Sequence, residues 1–130
     1  MPDGKITVIL NGYKRPHALK AQMEALKSQT VKPEMVMFWQ NKDSDENFDY
    51  SLLNNCVVTT NNANFGVWAR FAYALNATTE YVCVFDDDTI PGKRWLENCY
   101  ETMQKHEGLL GTIGVVYHTP NTYHPMHRIG

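Results

Sequence analysis

The stretch Tyr81–Asp88 reads YVCVFDDD, five apolar residues followed by three adjacent aspartates. A short, continuous apolar run of this length suits a strand covered on both faces, so it predicts a central strand of a parallel sheet. Three neighbouring carboxylates repel one another, and a bound cation relieves that repulsion. Oxygen ligands are those that Mg²⁺ and Mn²⁺ prefer, so we expect a Mn²⁺ or Mg²⁺ site held by Asp88 and Asp86.

Acidic residues can also follow a strand for reasons other than metal binding. They cap helices or fill turns without any ligand. Phosphatases of the haloacid dehalogenase type place Asp-x-Asp-x-Thr after a strand, but Ile90 stands where that threonine would fall. That class also begins its domain with the motif, whereas three predicted strands precede it here, so we favour a metal–phosphate site. In an extended chain Asp86 and Asp88 would point to one side and Asp87 to the other.

The overall composition restricts the class of protein. The chain has 130 residues, 43% of them hydrophobic, which fits one globular domain over residues 1–130. A net charge of −2 gives no basic field that would attract nucleic acid. No apolar run approaches the roughly 20 residues of a membrane span, and no signal peptide is visible. Three cysteines without a Cys-x-x-Cys pair fit reduced thiols, so we expect a cytoplasmic protein.

Strand and helix patterns alternate along the chain. The predicted strands are Lys5–Leu10, Met35–Trp39, Cys56–Thr60, Tyr81–Phe85 and Thr112–Tyr117, and the predicted helices are Pro16–Gln29, Val67–Asn76 and Lys93–His106. In the second helix Val67, Phe71 and Leu75 share one face. This alternation predicts an α/β fold with a mostly parallel sheet flanked by helices. The tail His118–Gly130 shows no period and is expected to be irregular.

The polar segments that follow the strands are candidates for a binding site. Right-handed crossovers place the loops after parallel strands along one edge of the sheet, and ligands of open α/β sheets bind there. Four such segments are therefore expected to meet, namely Asn11–Arg15, Gln40–Asp45, Asn61–Arg70 and Asp86–Thr89.

Four stretches of the sequence form a recognisable pattern through their order and spacing along the chain. They are ITVILNGYKRPHALKAQMEALKSQTVKPEMVMFW, which carries Arg15, Leu19, Gln29 and Pro33; Asn64-Phe65-Gly66 followed by Ala69-Arg70; EYVCVFDDDTIPG; and Trp95-Leu96 early in the last helix. Together they resemble a family-2-type glycosyltransferase of the GT-A fold, in which the second stretch is similar to an NxGxxxAR segment and the third resembles the strand with a DxD-type metal motif. The resemblance covers roughly residues 5–105 and implies a Rossmann-like nucleotide-sugar-binding fold.

The resemblance implies a donor, an acceptor and roles for individual residues. The donor would be a nucleotide-diphosphate sugar, with UDP-sugar expected, and the acceptor a saccharide or another hydroxyl compound. The residues implied in donor binding are Asn11, Gly12 and Tyr13 beside the nucleobase, Arg15 at the base or a phosphate, Asn41 or Asp43 at the uracil edge, Asn64 and Arg70 at the ribose or diphosphate, and Asp86 and Asp87. Gly66 would let the backbone approach the ligand, and Asp88 and Asp86 would hold the metal.

Each of these residues also has a purely structural interpretation. Arg15 could solvate the start of a helix, and Arg70 could be a surface cation. Tyr13 and Trp68 are of types that more often pack than bind a ligand. Asn64 could simply form a loop. These alternatives remain open from the sequence alone.

The segment after the metal motif shows no catalytic base. An inverting enzyme needs a general base for the acceptor hydroxyl, but the last acidic residue is Glu107, so the fold is expected to be truncated at its C-terminal side. His118, His124 and His127 could supply a late metal ligand, with His127 the candidate, or belong to a surface tail, which we favour.

Two functions therefore remain. One is a metal-dependent glycosyltransferase; the other is a nucleotide-sugar-binding module without transfer. An open sheet edge at the truncated end would favour a homodimer or another partner chain.

Overall fold

The computed structural model describes residues 4–42, 48–121 and 126–129. The elements in chain order are β1 (Ile6–Gly12), α1 (Leu19–Lys27), β2 (Met35–Gln40), β3 (Val57–Thr60), α2 (Ala69–Ala74), β4 (Tyr81–Phe85), α3 (Trp95–Lys105), β5 (Gly114–Tyr117) and β6 (Met126–Ile129), with short 3-10 turns at Pro16–Ala18 and Tyr50–Leu53. They fall into two compact units, Met1–Tyr100 and Glu101–Gly130. The single-domain organisation expected from the length stays a prediction.

The first unit contains a parallel sheet of four strands in the order β3-β2-β1-β4. Its register pairs Leu10 with both Phe38 and Phe85, so the three strands end at nearly the same level. The α/β class with a mostly parallel sheet is confirmed. The prediction of β4 as a central strand is wrong within the described residues, because β4 pairs there only with β1. Continuous apolarity shows that both faces carry apolar side chains, and it carries no information about neighbours within the sheet.

The core is built around β1, whose seven residues are all buried. On one face of the sheet Val8 and Leu10 belong to a cluster with Leu19 and Leu26 of α1 and Leu96 of α3. Positions 19, 22, 23 and 26 of α1 are buried because they repeat at the 3.6-residue period and form one stripe. Each fully buried leucine contributes about 1.5–3 kcal/mol through removal of apolar surface from water.

The opposite face of the sheet carries α2, which is shorter than predicted. It buries Ala69 and Tyr73, whereas Phe71 is 50% and Leu75 88% exposed. The shared apolar side chains of Val67, Phe71 and Leu75 are therefore exposed, and a different face of α2 packs against the sheet. The Tyr73 hydroxyl is hydrogen-bonded to Thr59 Oγ1 at 3.0 Å, and its ring packs beside Trp39, so these contacts hold that side of the helix against the sheet.

The second unit contains an antiparallel pair, β5 and β6, in a sheet of its own. Gly114 pairs with Ile129 and Tyr117 with Met126. Two predictions are corrected here: β5 is not a fifth strand of the parallel sheet, and the tail is not irregular throughout. A four-residue strand such as MHRI is too short to show a period, so only its partner strand reveals it.

Within the described residues, no helix combines the length and the apolarity required to cross a bilayer.

Candidate functional site

The segments after β1, β2 and β3 meet at the carboxyl edge of the sheet, as predicted. Asn41 N donates to the Gly12 carbonyl at 3.0 Å, and Lys42 N donates to the Ala63 carbonyl at 3.1 Å. Asp86 joins this edge because β4 runs parallel to β1 and ends at Phe85. The convergence follows from strand direction alone, since parallel strands present their carboxyl ends together.

The three aspartates lie in a turn and not in an extended chain. Thr89 N donates to the Asp86 carbonyl at 3.2 Å and closes the turn directly after β4. Strict alternation of side chains therefore does not apply, and Asp87 and Asp88 contact the same arginine, while Asp86 contacts another.

Two arginines from distant segments neutralise most of this acidic turn. Arg15 Nη1 lies 2.6 Å from Asp88 Oδ2 and 3.3 Å from Asp87 Oδ1. Arg70 Nη1 forms an ion pair with Asp86 Oδ1. The structure thus brings together five residues that the sequence singled out, from the ends of β1 and β4 and from α2.

The two arginines differ in their surroundings. The Arg15 side chain is 51% exposed and that of Asp88 56% exposed, so this pair is a surface ion pair worth about 0–1 kcal/mol. The Arg70 side chain is only 17% exposed, and its buried Nε has no hydrogen-bond partner among the described residues. Burial lowers the pKa of Arg70, and the neighbouring Asp87 carboxylate acts in the opposite direction. Arg70 therefore keeps an unused donor beside the acidic turn.

Two buried glutamines of the α1 region, which sequence reasoning missed as site residues, hold the acidic turn in place. Gln22 Nε2 donates to the carbonyls of Asp86 at 2.6 Å and Thr89 at 2.9 Å. Gln29 Nε2 donates to the Gly92 carbonyl at 2.7 Å, and its Oε1 accepts from Leu96 N at 3.1 Å. A polar residue within the apolar stripe of α1 was the available signal for Gln22.

The residues that end β1 serve mainly to shape the edge. Asn11 is buried and donates through Nδ2 to the Phe85 carbonyl at 2.9 Å. A Cβ on Gly12 would lie 2.5 Å from Phe38 Cζ and 2.8 Å from Phe48 Cζ, so only glycine fits there. Tyr13 is half-buried, and the Lys14 ammonium lies 5.2 Å from its ring centroid.

The backbone turns sharply just before Arg15. Lys14 adopts a φ of 60°, a left-handed conformation that is uncommon for a residue with a side chain. The turn directs the next residues across the edge, towards the end of β4.

The predicted asparagines organise the loop between β3 and α2. Asn41 is buried; its Oδ1 accepts from Trp39 Nε1 at 2.9 Å and Phe65 N at 3.1 Å, and its Nδ2 donates to the Gly66 carbonyl at 3.2 Å. Asn64 Oδ1 accepts from Gly66 N at 2.9 Å. Gly66 has a φ of 74°, which explains the glycine by conformation. Asp43 lies outside the described residues.

The donor chemistry of the acidic turn suits a hard divalent cation, since its side chains offer only carboxylate oxygens. The described residues contain no group of three or more His, Cys, Asp or Glu side chains arranged to hold a metal ion. A Mg²⁺ or Mn²⁺ ion at this turn would take one or two of its carboxylates, and the rest of its shell would come from water or a ligand. His118 is exposed, and His124 and the side chain of His127 lie outside the described part of the chain.

A family model matches nearly the whole chain. The model for glycosyl transferase family 2 matches residues 7–129. The chain belongs to this family. A comparison with curated proteins finds no match.

Solved structures of TarS from S. aureus share the fold. The crystal structure of TarS has a TM-score of 0.64 at 20% identity, covering 78% of this chain and 20% of that one. TarS 1–349 gives 0.64 at 21% identity over 78% of this chain and 33% of that one. TarS 1–349 in complex with UDP gives 0.64 at 20% identity over 78% and 32%. The likeness shows the Rossmann-like GT-A fold. The chain spans a third or less of the length of these TarS chains.

Proposed function

We propose that this chain binds the diphosphate of a nucleotide-sugar at the acidic turn, with Mn²⁺ or Mg²⁺ held by Asp88 and Asp86, as the donor site of a glycosyltransferase. The observation that carries this proposal is the convergence of Arg15, Arg70 and three aspartates at the carboxyl edge of a parallel sheet. Family membership supports transfer of a sugar, and the solved complex of TarS with UDP supports a UDP-sugar donor.

The chemistry required at a donor site is stabilisation of negative charge on the departing diphosphate. A bound divalent cation supplies part of that positive charge. Arg70 supplies more, because its half-buried guanidinium is held beside the turn by the ion pair with Asp86. Guanidinium groups bind phosphate oxygens through paired N–H donors, which also orients the ligand.

The Tyr13 ring is assigned to the nucleobase, because it is half-buried at the same edge. Asn11 and Asn41 act indirectly, since Asn11 Nδ2 and both polar groups of the Asn41 side chain are engaged with the protein itself. The acceptor is proposed to be a saccharide or another hydroxyl compound.

The direct test measures UDP binding in the presence of Mn²⁺ by isothermal titration calorimetry. Wild-type protein is compared with Asp88→Asn, which keeps shape and removes charge. We expect Asp88→Asn to weaken binding at least about tenfold, since a phosphate-bridging cation loses a charged ligand.

Asp49→Asn is the matched control. Asp49 caps a short 3-10 turn through its Oδ1, which accepts from Ser51 N at 3.0 Å, and asparagine caps equally well. Equal UDP affinity in wild type and Asp88→Asn would show that the donor site has been placed wrongly.

Donor binding without transfer is the second candidate function. The described segments that follow β1, β2 and β3 (residues 11–15, 41–42 and 61–70) contain no Asp, Glu or His that could act as a general base. Donor hydrolysis and transfer to hydroxyl acceptors, measured with Mn²⁺ in wild type and Asp88→Asn, separate the two. Turnover that is lost in Asp88→Asn supports the enzyme, and UDP binding without any turnover supports the binding module.

A further inference from the structure

Arg15 forms an ion pair with Asp88, the carboxylate that the proposed cation would bind. Its Nη1 lies 2.6 Å from Asp88 Oδ2, and the same nitrogen reaches Asp87. A Mg²⁺ ion binds a carboxylate oxygen at about 2.0–2.1 Å, so a cation on that oxygen would stand next to the guanidinium. Two positive groups at this separation repel each other, and one of them has to leave.

We propose that Arg15 is an exchangeable counter-ion: it holds Asp88 while no donor is bound, and moves to the diphosphate when a divalent cation takes Asp88. The exchange makes cation and nucleoside diphosphate bind cooperatively, each favouring the other. This inference rests on the proposed function and adds a coupling between its two ligands.

The surroundings of Arg15 suit an exchange. Its side chain and that of Asp88 are both about half-exposed, so water can solvate either group once the pair opens. Arg15 follows the sharp turn at Lys14 and precedes the 3-10 turn Pro16–Ala18, outside any regular helix or strand. Its guanidinium can therefore move without disturbing the sheet.

Arg70 provides the contrast within the same site. It extends from α2, its side chain is 17% exposed, and it pairs with Asp86. A half-buried guanidinium held by a helix cannot swing into solvent as Arg15 can. We therefore assign the movement to Arg15 and a fixed phosphate contact to Arg70.

The formal charge of the site explains why the cation and the nucleoside diphosphate would favour each other's binding. Three carboxylates and two guanidinium groups leave one formal negative charge at the site. A divalent cation alone would make the site positive with Arg15 still beside it, which weakens its binding. A nucleoside diphosphate that arrives with the cation accepts the released guanidinium, because phosphate oxygens and arginine form paired charged hydrogen bonds.

The test measures Mn²⁺ binding directly, from the electron paramagnetic resonance signal of free Mn²⁺, with and without UDP. We expect Arg15→Gln to bind Mn²⁺ alone at least about fivefold more tightly than wild type, since its competitor is gone. UDP should then raise the Mn²⁺ affinity of the variant by a smaller factor than in wild type. Arg15→Lys keeps the charge, so its Mn²⁺ affinity without UDP should stay close to that of wild type.

Arg94→Gln is the matched control, because it removes the same charge from a residue that pairs with Glu97 at 2.6 Å. It should behave as wild type in both titrations. The exchange is wrong if UDP and Mn²⁺ bind but Arg15→Gln leaves Mn²⁺ affinity without UDP unchanged or lower. Failure of wild type to bind UDP at all would instead overturn the proposed function, and the exchange with it.

Discussion

At the scale of single residues, the buried glutamine of α1 sets the shape of the acidic turn. Gln22 donates to two carbonyls, those of Asp86 and Thr89, and the Asp86 carbonyl also accepts from Thr89 N. Each such hydrogen bond contributes about 0.5–1.5 kcal/mol, so the turn and the helix stabilise each other. The aspartate side chains are thereby left to ligands and arginines.

Replacing Gln22 by methionine is predicted to lower the free energy of unfolding by about 1–3 kcal/mol, because methionine fills similar space and donates no hydrogen bond. UDP affinity should fall as well, since the turn loses its support. Urea unfolding and calorimetry measure the two effects. Glu24→Met, at an exposed position of the same helix, should change stability by no more than about 0.5 kcal/mol. Equal losses in both variants would contradict this role.

The charged residues at this edge were selected from the sequence, and Gln22 was not. The aspartates follow a predicted strand, and Arg15 and Arg70 lie in stretches that resemble a known family, whereas the one signal for Gln22 was its place within an apolar stripe. The partners of Gln22 lie 64 and 67 residues further along the chain. A glutamine in a helix is usually exposed, and only the packed fold shows that this one is not.

At the scale of elements, the thiol of Cys83 on β4 lies beside Trp95 and Cys99 of α3, and its pKa reports on the packing of these two elements. Burial raises the pKa of Cys83 to about 12, from an ordinary value of 9.0. The folded protein thus keeps Cys83 protonated at a pH where the unfolded chain loses that proton. Stability from this group is complete below about pH 9 and is lost as the pH rises towards 12.

Stability is therefore predicted to fall with alkaline pH by up to about 1.4 kcal/mol per pH unit from Cys83 alone. Cys83→Val, which keeps the volume, should show a shallower decline between pH 8 and pH 10.5 in urea unfolding. Cys56→Val is a suitable comparison, since burial also raises the pKa of Cys56 but this residue is less deeply placed. A decline in Cys83→Val as steep as in wild type would contradict the assignment.

The strands and helices were predicted more accurately than the neighbours against which they pack. Patterns of apolar residues located the four parallel strands and three helices, because period and length are local properties. The position of β4 within the sheet was predicted wrongly, and the sequence did not show which face of α2 is buried. Both depend on which neighbours cover an apolar residue, and apolar side chains stand on more than one face of α2 and its end: Phe71 and Leu75 are exposed while Ala69 and Tyr73 are buried.

At the scale of the whole molecule, the exposed apolar side chains on α2 and on the residues that flank it bear on association. Phe65, Val67, Trp68, Phe71 and Leu75 are all large, apolar and exposed. Exposed apolar side chains of this kind mark surfaces for association. The homodimer expected from the sequence, at an open sheet edge, stays a prediction, and this apolar surface is a different place at which to test self-association.

Leu75→Glu is predicted to reduce self-association, measured by sedimentation velocity over a range of concentrations. Leu75 is 88% exposed, so the charge should cost little stability. Leu109→Glu makes the same chemical change at a residue that is 100% exposed in the second unit, and it should leave association unchanged. Equal sedimentation of wild type and both variants would show that α2 is not an association surface.

The hydrogen bonds that side-chain amides of residues 11–29 form with residues 85–96 have a consequence for how such a site can change its specificity. Asn11, Gln22 and Gln29 hold residues 85–96 directly, and none of these bonds involves the chain from 30 to 84. The acidic turn is therefore held by two separated segments, residues 11–29 and 85–96, whereas Arg70, the proposed fixed phosphate contact, comes from the chain between them. A loop of different length or sequence could be grafted between β2 and β3, altering which base is recognised, while the grip on the phosphates stays where it is.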